Sequence, residues 1–357
     1  MTVAYINQIG TAVPDHDIHV PFVAFARTLL TEAKTRAVFD RMVERSGIAH
    51  RYSFFAPGDL SAGEVDAGRF YQRGRFPGTA ARMARYATEA LALAMRAVDA
   101  LALGDERARI THLVVASCTG FTAPGLDLQL AGGLGLRADV ARTLIGFMGC
   151  AAAVPALRAA RDAVRADPAA RVLVVNLELS SLHMQETSEL QTVLSFLLFG
   201  DGASAALVTA DATGIALGAF HAMVIPDSAE LITWTIGDQG FLMHLSGKVP
   251  GRIAQTLRDD RAAVLRGDDG AAIDVWAVHG GGRTVLDAVE IGLSLDGQAL
   301  RHSRAVLRDY GNMSSATVMF VLARLLDDAA IRGQRGLAMA FGPGMVAETF
   351  WFQLAGG

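Results

Sequence analysis

The sequence predicts an α/β protein assembled from two similar halves. Three observations carry this. Short apolar runs of strand length alternate with Ala- and Leu-rich segments of helical length along the whole chain. The alternation restarts after about residue 210. No polar or Pro-rich linker separates the parts, which gives a first half over 1–210 and a second over 211–357. At 357 residues, 52% hydrophobic and 19% charged, the chain can bury a large core.

In order, residues 3–9 read as a strand, followed by a turn at Pro14. Asp15-His16-Asp17-Ile18-His19 sets two histidines three apart, but no other ligand cluster accompanies them, so an exposed loop is expected. Residues 20–45 have helical periodicity and carry Arg27, Lys34, Arg36, Arg41 and Arg45. Arg41 and Arg45, four apart, share a helix face; their mutual repulsion suits an anionic partner, and a plain solvated face accounts for them as well. Residues 53–77, rich in Gly, Asp and Ser, read as loop. Residues 79–103 hold no Gly or Pro and read as a long buried helix. Residues 110–117 form an apolar strand covered on both faces, leading into the loop Cys118-Thr-Gly-Phe-Thr-Ala-Pro-Gly125 and a helix over 126–134. Residues 171–178 are a further buried strand, Phe199-Gly-Asp-Gly-Ala203 a sharp turn, and 203–208 a strand. In the second half, 215–221, 273–279 and 336–341 read as strands, and 250–266, 283–293 and 316–328 as helices. Gly280-Gly281-Gly282, Tyr310-Gly-Asn-Met-Ser-Ser315 and Phe341-Gly-Pro-Gly344 are turns.

Composition narrows function. A net charge of −4 gives no general nucleic-acid footprint. Two cysteines, Cys118 and Cys150, fit a reducing cytosol rather than a disulfide scaffold, and the N-terminus lacks a signal-peptide pattern, so a cytoplasmic protein is expected. No apolar run has transmembrane length; the one at 187–198 is too short.

The stretch Arg142-Thr-Leu-Ile-Gly-Phe-Met-Gly-Cys-Ala-Ala-Ala-Val-Pro155 reads as strand, tight turn and helix, with Cys150 at the helix start. Pro155 is tolerated only in a first turn. Unpaired N–H groups and the helix dipole there favour the thiolate. Alone, such a cysteine is as readily a buried structural one. His279 and Asn312, however, also stand at a strand end or in a Gly-flanked turn, where chemical sites favour rigid support. An imidazole holds a thiolate; an amide and a ring N–H can be placed for a developing oxyanion or enolate. Such a trio can accept an acyl group from a thioester and stabilise carbanion character on a second one. Spacing alone leaves a cysteine protease, or coincidence, open.

The words around these residues decide between them. Gly-Phe-Met-Gly-Cys150-Ala-Ala-Ala, Trp-Ala-Val-His279-Gly-Gly-Gly, Tyr-Gly-Asn312-Met-Ser-Ser-Ala, Leu-Phe199-Gly-Asp-Gly-Ala and Phe341-Gly-Pro-Gly-Met resemble, in order and over essentially the whole chain, the type III polyketide synthases of the chalcone synthase family. The resemblance implies a thiolase fold, an internally duplicated, layered αβαβα arrangement, in a homodimer. It implies loading of an acyl-CoA starter and decarboxylative condensation with malonyl-CoA, then cyclisation to a pyrone, resorcinol or phloroglucinol ring. Neither metal nor cofactor nor carrier protein is implied. By motif, Cys150 is the acylated nucleophile, His279 sustains its thiolate, and His279 with Asn312 binds the thioester carbonyl. Phe199 matches the first gatekeeper aromatic, and Arg41 and Arg45 match the basic positions that meet the CoA phosphates.

Departures from the family pattern reshape the pocket. Gly280 follows His279 where proline is common. Met243 takes the second gatekeeper position, and a thioether there admits longer or bulkier chains. Cys118 stands where plant members have a cavity threonine, Trp234 where they have a small residue, and Ser314 is a further lining residue. His183 and Gln185, in Ser-Ser-Leu-His-Met-Gln, resemble bacterial alkylresorcinol-type members. Together these favour a bacterial-type enzyme with a medium- or long-chain starter. The rival readings are an initiating β-ketoacyl synthase working on acyl carrier protein, and a silent homologue that binds acyl-CoA.

Overall fold

The computed structural model describes residues 2–266 and 273–356. In the first part run β1 (Ala4–Ala12), β2 (His16–Asp17), α1 (His19–Leu29), α2 (Ala33–Arg45), β3 (Tyr52–Ser53), α3 (Thr79–Asp99), α4 (Glu106–Arg109), β4 (His112–Ala116), α5 (Leu126–Gly133), β5 (Ala141–Ile145), α6 (Ala153–Ala166), β6 (Val172–Leu179), α7 (Leu190–Leu198) and β7 (Asp201–Thr209). There follow β8 (Ile215–Val224), β9 (Ile232–Gly237), β10 (Gly240–Leu245), α8 (Val249–Asp259), α9 (Arg261–Val264), β11 (Val275–Val278), α10 (Arg283–Leu293), α11 (Arg301–Tyr310), α12 (Thr317–Asp327), β12 (Arg335–Gly342) and β13 (Val346–Leu354).

Nine strands form one mixed sheet in the order β11-β12-β13-β8-β1-β7-β6-β4-β5. Pairing is parallel at β11–β12 and among β6, β4 and β5, and antiparallel elsewhere. Alternation of side chains across each strand sorts the core into layers. One sheet face shares a single apolar cluster with α6 and α12, from Val114 and Val174 through Ala4 and Ile215 to Phe350 and Ala277. The opposite face divides in two: Leu113, Val175 and Leu207 pack with α3 and α5, whereas Trp276, Leu337 and Met339 pack with α8, α10 and α11. The result is an α/β thiolase-like fold with α6 and α12 as its inner helical layer. The Ala-rich face of α6 lets the sheet close on it: Ala153, Ala156 and Ala160 are fully buried.

Several expectations are corrected. Residues 15–19 are not an exposed loop. His16 and Asp17 pair with Ser53 and Tyr52, and His19 is buried. Asp17 accepts from the His19 and Arg51 backbone N–H groups and meets His50 Nδ1 at 2.6 Å. The two histidines therefore serve a structural network. The expected helix over 79–103 ends at Asp99, and that over 250–266 is two helices, α8 and α9. The turn expected over 199–203 is shorter, because strand pairing begins at Asp201. The loop over 53–77 starts on the last residue of β3 and holds a short 3-10 turn, Leu60–Ala62, and isolated bridges such as Pro57 with Asp66.

Candidate active site

Cys150 lies in a 3-10 turn, Gly149–Ala151, that leads into α6, so it stands at the helix start as expected, with Pro155 in the first turn. The turn is tight: Phe147 and Gly149 have φ of +55° and +56°. A Cβ on Gly149 would lie 2.5 Å from Pro343 Cδ, so only glycine fits. The Gly342-Pro343-Gly344 turn after β12 thus clamps the cysteine turn from outside, which explains two of the sequence words together. Gly149 N–H also donates to Cys118 Sγ at 3.1 Å.

Asn312 is delivered from the other half of the chain. Its backbone pairs with the turn after α7: its N–H donates to Leu198 O at 2.8 Å and its carbonyl accepts from Gly200 N at 3.0 Å. Gly311, φ +67°, permits the close approach, since a Cβ would lie 2.9 Å from Leu198 O. The side-chain amide is oriented by Ser314, whose N–H donates to Oδ1 at 2.8 Å. Nδ2 is thereby turned to Gly281 O at 3.2 Å and to Cys150 Sγ at 4.0 Å. Ser314 holds a strained φ of +47° to do this. His279 follows β11, tied by its N–H to Met339 O at 2.8 Å. It is buried, and neither ring nitrogen has a partner among the described residues.

Cys150, His279 and Asn312 line one cavity of about 70 Å³, and Cys118, Phe199, Trp234, Met243 and Ser314 line it with them. Trp234 and Met243 are direct cross-strand partners on the β9–β10 hairpin, so both departures from the family pattern sit side by side on one wall. The Trp234 indole N–H donates to Cys118 O at 2.8 Å. His183 braces the same wall: it stacks on Phe241 at 4.3 Å, meets Thr119 O through Nε2 and accepts from Phe241 N–H at Nδ1. Gln185 donates to His183 O and Gln239 O. Both residues support the cavity from behind.

Arg41 and Arg45 stand apart from the cavity, exposed on α2. Arg45 lines a neighbouring groove that shares Leu245, Val249, Gly281 and Val285 with the cavity; Arg41 does not line it.

Burial sets the electrostatics. The Cys150 thiol is pushed up to about 11, chiefly by desolvation and against hydrogen bonding from Ser314 and Asn312. Desolvation lowers His279 to about 4. Burial thus works against the thiolate expected from the helix start: loss of water opposes the helix terminus at Cys150 and disfavours the charged imidazole at His279. The Cys118 thiol is likewise raised well above its ordinary value, by burial and by nearby Glu178.

Sequence reasoning missed Glu178, fully buried at the end of β6. Its carboxyl accepts from Cys118 N–H, Thr119 Oγ1 and Ser315 Oγ, at 3.0, 2.9 and 2.6 Å, and burial raises it to about 7. It joins the segments that carry Cys118 and Asn312. A carboxylate closing the apolar run Val-Leu-Val-Val-Asn-Leu was the available signal. Ser180, Phe196 and Pro343 were also missed as lining residues.

Matches to family models span nearly the whole chain: the N-terminal domain of chalcone and stilbene synthases over residues 2–212 and the C-terminal domain over 217–354. The chain belongs to the chalcone and stilbene synthase family. Bisdemethoxycurcumin synthase of rice, Oryza sativa subsp. japonica, is 36% identical, the alignment covering 97% of this chain and 91% of the relative. PKS-I from the brown alga Ectocarpus siliculosus superposes with a TM-score of 0.86 at 30% identity, covering 99% of each chain. The type III polyketide synthase domain of Steely1 from Dictyostelium superposes at 0.88 and 23% identity, over 98% of this chain and 99% of that one, a likeness of fold. Chalcone synthase-like, type III polyketide synthases are acyltransferase-type enzymes that use CoA thioesters and no cofactor. Among the described residues no group of three or more His, Cys, Asp and Glu gathers to hold a metal ion, and no helix is long and apolar enough to cross a membrane.

Proposed function

We propose that the protein loads an acyl-CoA starter on Cys150, extends it with malonyl-CoA and cyclises the product to a pyrone-, resorcinol- or phloroglucinol-type ring. The observation that carries this is the approach of Cys150 Sγ to an Asn312 amide already oriented by Ser314, in an apolar cavity that also holds His279. In this reading the halves 1–210 and 211–357 bring the nucleophile from one side and its two partners from the other.

The roles follow from the groups. As a thioester enters, the Cys150 proton passes to His279, Sγ bonds to the thioester carbonyl carbon, and the CoA thiol leaves with the proton from His279. Malonyl-CoA then loses CO₂, and the electron pair of the broken bond moves onto an enolate whose oxygen is held by Asn312 Nδ2–H and the His279 ring N–H. The carbanion attacks the acyl-Cys150 carbonyl and frees the sulfur for reloading. Arg45 at the groove beside the cavity, with Arg41 one turn earlier, meets the CoA phosphates. Phe199 and Met243 line the cavity at the positions that match the two gatekeepers, while Cys118, Trp234 and Ser314 shape its wall.

The apolar lining supports a medium- or long-chain starter and an alkylresorcinol- or alkylpyrone-type product. Labelled malonyl-CoA offered with a panel of starters tests the reading. Condensation products that require Cys150 are expected, and folded protein yielding none with any starter would end it. A second copy of the chain is the proposed partner, seated on the apolar surface beside β5.

A further inference from the structure

We infer that Arg283 is a second phosphate anchor of the groove, acting beside Arg45, and that the pair makes the groove select CoA thioesters over thioesters without phosphate. This rests on the acyl-transfer reading above and adds to it a specificity residue that no motif marks. Arg283 follows Gly280-Gly281-Gly282 and opens α10. The groove, about 360 Å³, is lined by Arg45 and Arg283 and by no Asp or Glu. In a chain of net charge −4, two cations without an anion run against the overall balance and mark the groove for an anionic ligand. The two share one lip. A Cβ on Gly47, two residues past Arg45, would lie 3.7 Å from Arg283 Cδ, so the Arg283 stem lies against the segment that leaves α2. Ser46 fixes that exit: its Oγ donates to Val43 O at 2.8 Å and accepts from Ile48 N–H at 3.2 Å. Arg41, one turn back on α2, does not line the groove, and Arg283 supplies the second cation there.

The present partner of Arg283 is dispensable. Its Nε reaches Asp287 Oδ2 only at 3.7 Å, and its side chain is half exposed, so the pair is worth little. Asp287 does not depend on it, because Arg304 Nη2 donates to the other carboxylate oxygen at 2.7 Å. Arg283 can therefore turn to a phosphate without stranding a carboxylate, and a guanidinium meets phosphate through two parallel N–H groups. Connectivity ties this anchor to the chemistry. Arg283 stands four residues after His279 on one segment. Gly281, between them, lines both the groove and the reaction cavity and accepts from Asn312 Nδ2 at 3.2 Å. A thioester held by its phosphates at Arg283 thus has its arm directed along this segment toward Cys150.

The test reads CO₂ release from malonyl-CoA and from malonyl-pantetheine, which carries the same thioester without phosphates. Arg283→Gln is expected to lower kcat/KM for malonyl-CoA roughly tenfold, the scale of one charge-assisted hydrogen bond, chiefly through KM, with malonyl-pantetheine little changed. Arg283→Lys, which keeps the charge, is expected to recover part of the loss. Asp287→Asn, which alters the acidic neighbour outside the groove, is expected to keep the preference for malonyl-CoA. In the unsubstituted protein that preference should fall as salt is raised from about 0.05 to 0.5 M, and Arg283→Gln should flatten the dependence. An unchanged malonyl-CoA value in Arg283→Gln, equal losses for both substrates, or a matching loss in Asp287→Asn overturns the inference and leaves acyl transfer standing. Absence of CO₂ from either substrate with the unsubstituted protein overturns acyl transfer and the inference together.

Discussion

A thiol pushed up to about 11, in one cavity with an imidazole lowered to about 4, makes Cys150 a nucleophile that must be activated on demand. The sign gives a prediction. Below its own value the thiolate fraction falls tenfold per pH unit, so alkylation of Cys150 by iodoacetamide in the absence of substrate is expected to quicken about tenfold per unit from pH 6 to pH 9, without a plateau. A resting thiolate–imidazolium pair would instead react at a constant rate above about pH 5, and a flat profile would refute the neutral pair. Asn312 is set by Ser314 before any charge appears. Asn312→Ala is therefore expected to slow malonyl-CoA decarboxylation by on the order of 10²–10³, with starter loading affected much less. Poor loading with normal decarboxylation, measured by adduct mass and CO₂ release, would remove the role assigned to the amide.

Elements hold these residues by contacts that differ in how plainly they are written in the chain. Strands β4, β6 and β11 are buried on both faces, so each is an unbroken apolar run and readable as one. The cysteine turn and the Gly-Pro-Gly turn are readable because each needs glycine where the other packs. The β9–β10 hairpin is not legible as strands: four of its twelve residues are exposed and five are half-buried, and Thr and His interrupt the pattern. Strand β13 escaped because Glu348 and Thr349 sit in its middle, the first paired with Arg158. Helix α11 is short and arginine-rich, and its place is set by ion pairs such as Arg304 with Asp287 and Glu290. The join between β6 and the turn at Asn312 was also hidden, because a buried carboxyl serving three donors is a tertiary fact. Glu178→Ala leaves Cys118 N–H, Thr119 Oγ1–H and Ser315 Oγ–H without their acceptor, at a cost on the order of 3 kcal/mol. Glu178→Gln keeps an acceptor. The folded Glu178 carboxyl lies near 7, above its ordinary value of 4.5, so its share of stability is present below 4.5 and lost as pH rises through 7. The glutamine variant should therefore gain on the unsubstituted protein between pH 5 and pH 8, read as denaturation midpoints. A gap independent of pH would show that Glu178 is ionised throughout.

At the scale of the molecule, the sheet ends on β5, and its surroundings are unusual for a free surface. An edge strand presents unpaired N–H and C=O groups, and proteins blunt such edges with charge, bulges or a cover. Here Leu144 of β5 is 44% exposed, with Phe121 at 40%, Leu128 at 46% and Met148 at 38%. Phe121 stacks on Phe147 at 5.2 Å, so the patch is continuous with the turn that carries Cys150. An apolar edge so close to the reactive sulfur is expected to be covered by a second copy of the same chain, with the two nucleophile turns near the shared face. The unsubstituted protein should sediment at twice the 37.7 kDa chain mass. Leu144→Asp, which puts a charge where the partner would pack, should shift it toward the single-chain mass. Because Met148 and Phe147 lie between that face and Cys150, the same variant should lose condensation activity in proportion to the dimer lost and recover it as protein concentration is raised. A species of 37.7 kDa at micromolar concentration with full activity would show that β5 is left uncovered in the working enzyme.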